Sequence, residues 1–129
     1  TLSLHDALPI SAIREWKKWL NLAQELIAVW LKVQAGWMYL EPIFGWEDIM
    51  RQMKAEGQLF KRVDSHWHEL MSKVNADSKV TSVTNIPHIL DIFQEDKGLL
   101  DQIQAGLNAY LVRLLHSIVF SLYMICCRS

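Results

Sequence analysis

Apolar residues recur along the first third of the chain with helical spacing. Trp16, Trp19, Ala23, Leu26, Trp30, Val33, Trp37 and Leu40 follow at steps of three, four, three, four, three, four and three. Such steps keep one face of an α-helix apolar, as in a coiled-coil seam. Leu20 and Ile27 widen the seam into the stripe that a bundled helix buries. Ser11 is placed to cap this helix at Ala12. Pro42 lacks an amide hydrogen and disfavours the α region at the residue before it, which predicts a stop near Leu40 or Glu41.

Ile43 to Trp46 reads as a turn in which Gly45 is free to take unusual backbone angles. A second helix begins near Trp46, with Glu47 and Asp48 at the positive end of its dipole. Its apolar face is Ile49, Met50, Met53, Phe60, Val63, Trp67, Leu70 or Met71, and Val74. Gly57 falls in the gap and weakens the helix by about 1 kcal/mol relative to alanine. The polar, β-branched run Asn75 to Asn85 predicts a loop. Asn85 is placed to cap a third helix, with Pro87 near its first turn. Its stripe is Ile86, Ile89 or Leu90, Phe93, Leu99 or Leu100, Ile103, Leu107, and Tyr110 or Leu111. The expected fold is all-α: three long antiparallel helices, up-down-up, in a helical bundle.

Composition narrows the partners. The 129 residues carry a net charge of -1, which gives no pull toward nucleic acid or anionic lipid. Six tryptophans and 51% apolar residues suit a packed helical body. Cys126 and Cys127 are adjacent, a poor geometry for a disulfide and too few ligands for zinc. Free thiols in a reducing compartment are the expectation.

The candidate constellations each have a plainer explanation. The glycines at 36, 45, 57, 98 and 106 form no phosphate-cradling loop, so specific ATP binding is not expected. His66 and His68 flank Trp67 two residues apart and point in different directions on a helix, which argues against a shared metal. They read as surface histidines, with Asp64 and His68 four apart and weakly paired. The carboxylate pairs Glu47-Asp48 and Glu95-Asp96 read as solvated faces. The ladder Trp16, Trp19, Trp30 and Trp37 reads as core or domain interface before it reads as a ligand-binding strip. No catalytic, cofactor-binding or metal-ligating residue is assigned. Leu114 to Cys127 is almost continuously apolar. An end that packs on the bundle, or a translation artefact, is preferred there over a membrane anchor, because a span needs about 20 residues.

One stretch carries a family pattern. It comprises Trp30-Leu31-Lys32-Val33-Gln34, then Trp37 with Tyr39-Leu40-Glu41-Pro42-Ile43-Phe44. Glu47-Asp48-Ile49-Met50-Arg51-Gln52-Met53 comes next, and then Phe60, Val63-Asp64 and Trp67. Further on, Ile103, Gly106, Leu107, Tyr110 and Leu111 repeat a leucine-rich core. Together these resemble the linker region of dynein heavy chains, in particular the axonemal ones. The resemblance covers 12–111; residues 1–11 are a non-family leader that looks like translated adaptor sequence, and 112–129 are a divergent apolar tail. The family pattern has proline where Lys54 stands, so a bent but continuous second helix is expected here.

The resemblance implies a piece of an elongated linker rod, the mechanical lever that bends across a ring of ATPase modules to drive movement along microtubules. It implies no catalysis and no cofactor for this chain, since ATP and magnesium would belong to the motor ring. The implied partners are the rest of the linker, that ring and, through the parent, intermediate and light chains and microtubules. The implied place is the cytoskeleton of the ciliary axoneme. Two other readings stand beside it: a spectrin-like scaffold repeat and a small tail-anchored membrane protein. A spectrin-like repeat has no reason to keep the Tyr39 to Phe44 pattern at its first turn.

Overall fold

The computed structural model describes residues 9–128, so most of the 1–11 leader lies outside the described residues. The chain is all-α: α1 (Ile10–Phe44), α2 (Glu47–Gln52), α3 (Lys54–Ala76), α4 (Val80–Thr84) and α5 (Ile89–Cys127). The three long helices pack as expected. Trp37 meets Trp67 and Phe44 meets Phe60, so α1 and α3 are antiparallel. Glu56 lies beside Gly106 and Trp67 meets Phe93, so α3 and α5 are antiparallel as well. Trp30 stacks on Phe93 and Leu100 lies beside Gly36, which makes α1 and α5 parallel.

The core lies where the seams predict. Leu26, Val33 and Leu40 of α1 are buried at intervals of seven, and the seam continues to Phe44. Val63, Trp67 and Leu70 of α3 face them, with Phe93, Leu100, Ile103 and Leu107 of α5. Three expectations for α1 are corrected. Leu20 and Ile27 are exposed, so the stripe is narrower than proposed. Trp16, the first rung of the ladder, is 61% exposed, while Trp19, Trp30 and Trp37 are partly buried. By the Trp30–Phe93 register, the start of α1 extends past the first residue of α5, so no long helix covers Trp16. Ser11 does not cap α1; Pro9 stands at the cap without a side-chain hydrogen bond, and its carbonyl accepts from the Ala12 amide at 2.7 Å.

Pro42 also fails to end α1, which runs on to Phe44. Proline forfeits one backbone bond, to the carbonyl of Met38, and Met38 is itself exposed to water that can satisfy it. Against that loss stands the burial of Phe44, stacked on Phe60 at 5.3 Å. Burying such a side chain contributes about 1.5–3 kcal/mol. Gly45 then stops the helix with ordinary right-handed angles, φ -68 and ψ -16, and needs none of glycine's freedom.

The second helix is not continuous. Met53, at φ -118 and ψ 61, separates α2 from α3 even though Lys54 is not proline. Packing holds the break: the Met53 side chain is buried. Hydrogen bonding continues across it, since the Met53 amide donates to Ile49 at 2.8 Å and its carbonyl accepts from Gly57 at 2.8 Å. Gly57 is the point of closest approach, because a Cβ there would lie 2.8 Å from the Met50 sulfur. Its role is to let α2 fold back on α3.

The predicted loop from Asn75 to Asn85 is largely helical. α3 continues to Ala76, and Asp77 accepts from the Lys79 amide at 3.2 Å to launch α4. Asn85 is the C-cap of α4, not the N-cap of the third helix. That cap is His88, held at φ 58 just after Pro87, in a region that histidine enters more readily than β-branched residues do. At its far end α5 does not return to the bundle, and every described residue from 111 to 128 is exposed. The expectation that this apolar end packs on the bundle is therefore overturned. By the Gly36–Leu100 register, α1 ends near Leu107, and nothing among the described residues remains to cover the rest of α5.

The burial pattern makes a contrast testable by thermal denaturation monitored by circular dichroism. Trp67→Ala should cost about 3–5 kcal/mol, as truncating a buried aromatic does, which is most of the stability of a small domain at about 5–15 kcal/mol. Trp16→Ala, at an exposed position, should leave the melting temperature within a few degrees of the wild type.

Candidate functional site

Among the described residues, the polar side chains that join the long helices form the one arrangement with site-like chemistry. Its centre is Asp96. The seam of α5 reads Ile89, Phe93, Asp96, Leu100, Ile103 and Leu107, at steps of four, three, four, three and four. The carboxylate therefore occupies a core position and is 0% exposed. It is not the solvated residue expected from its pairing with Glu95. Directly across, on α3, His66 Nδ1 lies 2.7 Å from Asp96 Oδ1. The imidazole is about a quarter exposed, so it bridges core and surface. Arg62 and Glu95 pair just outside.

Burial pushes the Asp96 carboxyl above the usual carboxylate range, and the charge of Glu95 adds to this. The hydrogen bond and charge of His66, and the charge of Arg62, act the other way. Asp96 Oδ2 has no hydrogen-bond partner, an arrangement that favours the protonated form.

Two further ties hold the tryptophan indoles. Trp37 Nε1 donates to Asp64 Oδ1 of α3 at 2.9 Å. His68 Nδ1 sits 2.9 Å from the Asp64 carbonyl and 3.3 Å from its carboxylate, with its ring edge toward Trp37 at 5.9 Å. The expected Asp64–His68 pairing is thus present, and it supports the acceptor for Trp37. Trp19 Nε1 donates to Thr84 Oγ1 of α4 at 2.9 Å, and the Thr84 hydroxyl donates to the carbonyls of Val80 and Thr81. In this way each of these two partly buried indoles meets a polar partner at its wet edge.

His66 and His68 face different partners, Asp96 and Asp64. Among the described residues no three His, Cys, Asp or Glu side chains converge as metal ligands would. An imidazole beside a carboxylate is part of a nucleophile-activating set, but this carboxylate is sealed between helices. The principal grooves of the surface are lined by other residues. What the pair does is fix the register of α3 on α5. Glu47 and Asp48 lie exposed in the first turn of α2, where Asp48 pairs with Arg51. Cys126 and Cys127 are free and exposed. At the start of the ladder Glu15, Trp16, Trp19, Thr81 and Asn85 line a groove of about 310 Å³, and further along Trp30 lines a second groove with Ala23, Leu26 and Val83.

The partners of Asp64, His66 and Thr84 could not be read from sequence, because they stand 27, 30 and 65 residues away. The burial of Asp96 had a signal: it falls on the four–three rhythm of its helix.

Residues 8–113 match the family model described as Dynein heavy chain, N-terminal region 2. Similar proteins include dynein axonemal heavy chain 12 of Rattus norvegicus, 50% identical over 99 residues, and dynein axonemal heavy chain 3 of Homo sapiens, 45% identical over 104. Dynein axonemal heavy chain 6 of Homo sapiens is 43% identical over 99 residues. These alignments cover 77%, 80% and 77% of this chain. The chain spans only 2–3% of the length of these relatives.

The buried carboxylate gives the bundle a signature in acid. A raised folded-state pKa means that the Asp96 contribution is fully present below the unfolded value and is lost as pH rises through the folded one. Asp96→Asn cannot ionise. The stability of the wild type relative to Asp96→Asn should therefore fall as pH rises from the ordinary carboxylate range, measured by urea denaturation. In a His66→Gln background, which removes the imidazole that opposes the shift, the fall should extend to higher pH.

Proposed function

The chain belongs to the dynein heavy chain family, and from that premise we propose that it is a stiff segment of the linker, the lever of an axonemal dynein, with no catalysis of its own. The observation that carries this reading is an aromatic circuit through all three long helices. Trp30 of α1 stacks on Phe93 of α5 at 5.1 Å, and Phe93 meets Trp67 of α3 edge-on at 6.5 Å. Trp67 in turn stacks on Trp37 of α1 at 5.2 Å. Each helix is thereby fixed against both others, and bending the unit means separating buried rings. Transmitting force needs that property and needs no reactive group.

The break at Met53 suits the same role. It is a corner with its hydrogen bonds intact and its side chain buried, so it changes direction without adding a hinge. The Tyr39 to Phe44 stretch sits at the joint between α1 and α2, where a family pattern would be needed for geometry. The family match favours this reading over a spectrin-like scaffold repeat. The lever would work with the rest of the linker and the ATPase ring of the parent. Through the parent it would serve microtubules in the ciliary axoneme, with intermediate and light chains as further partners.

The test is made in a motor-competent axonemal heavy chain that carries this segment. Phe44→Ala with Phe60→Ala loosens the packing of α1 on α3 at the joint. ATP hydrolysis should stay near the wild-type rate while microtubule gliding slows several-fold. Unchanged gliding, or a parallel loss of hydrolysis, would overturn the lever reading.

A further inference from the structure

The short helix α2 cannot hold its own direction. Isolated helices below about 12–15 residues are marginal in water, and α2 has six residues, none of them buried. The Met53 corner that joins it to α3 has a backbone conformation that is neither helical nor extended. An arm of this kind swings about its corner unless contacts on both sides of the corner fix it.

α5 supplies a contact on each side. Just before the corner, Gln52 is the last residue of α2, and its side-chain carbonyl accepts a hydrogen bond from the Tyr110 hydroxyl. Just after it, in the first turn of α3, the Glu56 side chain lies on Gly106. The approach is so close that a Cβ at Gly106 would sit 2.5 Å from Glu56 Oε1 and 2.7 Å from its Cγ. Gly106 and Tyr110 are four residues apart and share one face of α5. The Met53 side chain is buried at the corner that these two contacts straddle.

We propose that Gly106 and Tyr110 form a clamp on the Met53 corner, which makes the direction of α2 follow α5. Swinging α2 away from α5 breaks the Tyr110–Gln52 bond. The bare backbone of Gly106 admits the Glu56 stem, and a side chain there would push the first turn of α3 outward. The Tyr110 ring packs against the core while its hydroxyl reaches the arm, so one residue joins the bundle to the corner. The clamp concerns the corner alone and stands or falls apart from the lever reading.

The corner is measured directly by dipolar spectroscopy between two spin labels on the full chain. Glu47→Cys on α2 and Ser65→Cys on α3 are exposed positions for the labels, with Cys126→Ser and Cys127→Ser to remove the free thiols. The labelled chain should show one narrow distance. Tyr110→Phe keeps the ring and removes the hydroxyl. Losing one such bond shifts a two-state balance by roughly two- to tenfold, so a second, displaced distance should appear while the melting temperature stays within a few degrees. Gly106→Ala should shift the main distance, and adding Glu56→Ala should restore it by freeing the space. A single unmoved distance in both Tyr110→Phe and Gly106→Ala would overturn the clamp. So would a broad distribution in the labelled chain with Gly106 and Tyr110 intact, which would make Met53 a free hinge.

Discussion

Trp67 is the residue on which the three long helices depend. It lies on α3 between Trp37 of α1 and Phe93 of α5, and Phe93 completes the circuit through Trp30. Rings of this size fix helix separation and rotation together, because offset stacking tolerates little sliding. The small residues obey that constraint. Gly36 brings α1 close to Leu100, where a Cβ would sit 3.1 Å from its methyl, and Gly106 brings α5 close to Glu56. Large rings at one level and glycines at the next let straight helices stay in contact along their length.

Polar groups then select one register from those that apolar packing alone would allow. A sealed carboxylate costs stability, and replacing such a group with an apolar one of the same shape often stabilises a core. Asp96 nevertheless has one good position, opposite His66, and a shift of α5 by one turn would leave it unpaired among apolar side chains. The indole bonds act in the same direction with less penalty, because Trp37 and Trp19 keep an edge toward solvent. Stacking supplies cohesion, and these hydrogen bonds supply the alignment that a stiff element requires.

The fold class, the three long helices and most of the buried seam were legible in the sequence, because a 3.6-residue period survives whatever the helix packs against. Local punctuation was less reliable. Pro42 signals a stop, yet one lost backbone bond on an exposed turn weighs less than the burial of Phe44. Lys54 removes the proline that would have marked a break, yet Met53 breaks the helix because its side chain is drawn into the core. Propensity describes a residue alone, and at both places a long-range contact prevailed. The overhang was misread for a related reason: apolar content predicts burial only where a partner is within reach, and reach is set by register.

The two ends of the bundle show how far that register extends. α1 begins before α5 can cover it, which leaves Ile10, Ile13 and Trp16 exposed, and α5 continues after α1 has ended. Helices offset in this way cannot bury all of their apolar surface within one unit, so each end presents a ready seam. A rod assembled from offset helices gains stiffness from this, because no cross-section contains only chain ends. At the α1 end the open seam lies within the residues matched to the family. At the α5 end the exposed run begins where α1 ends, because the same offset leaves no described helix within reach of it.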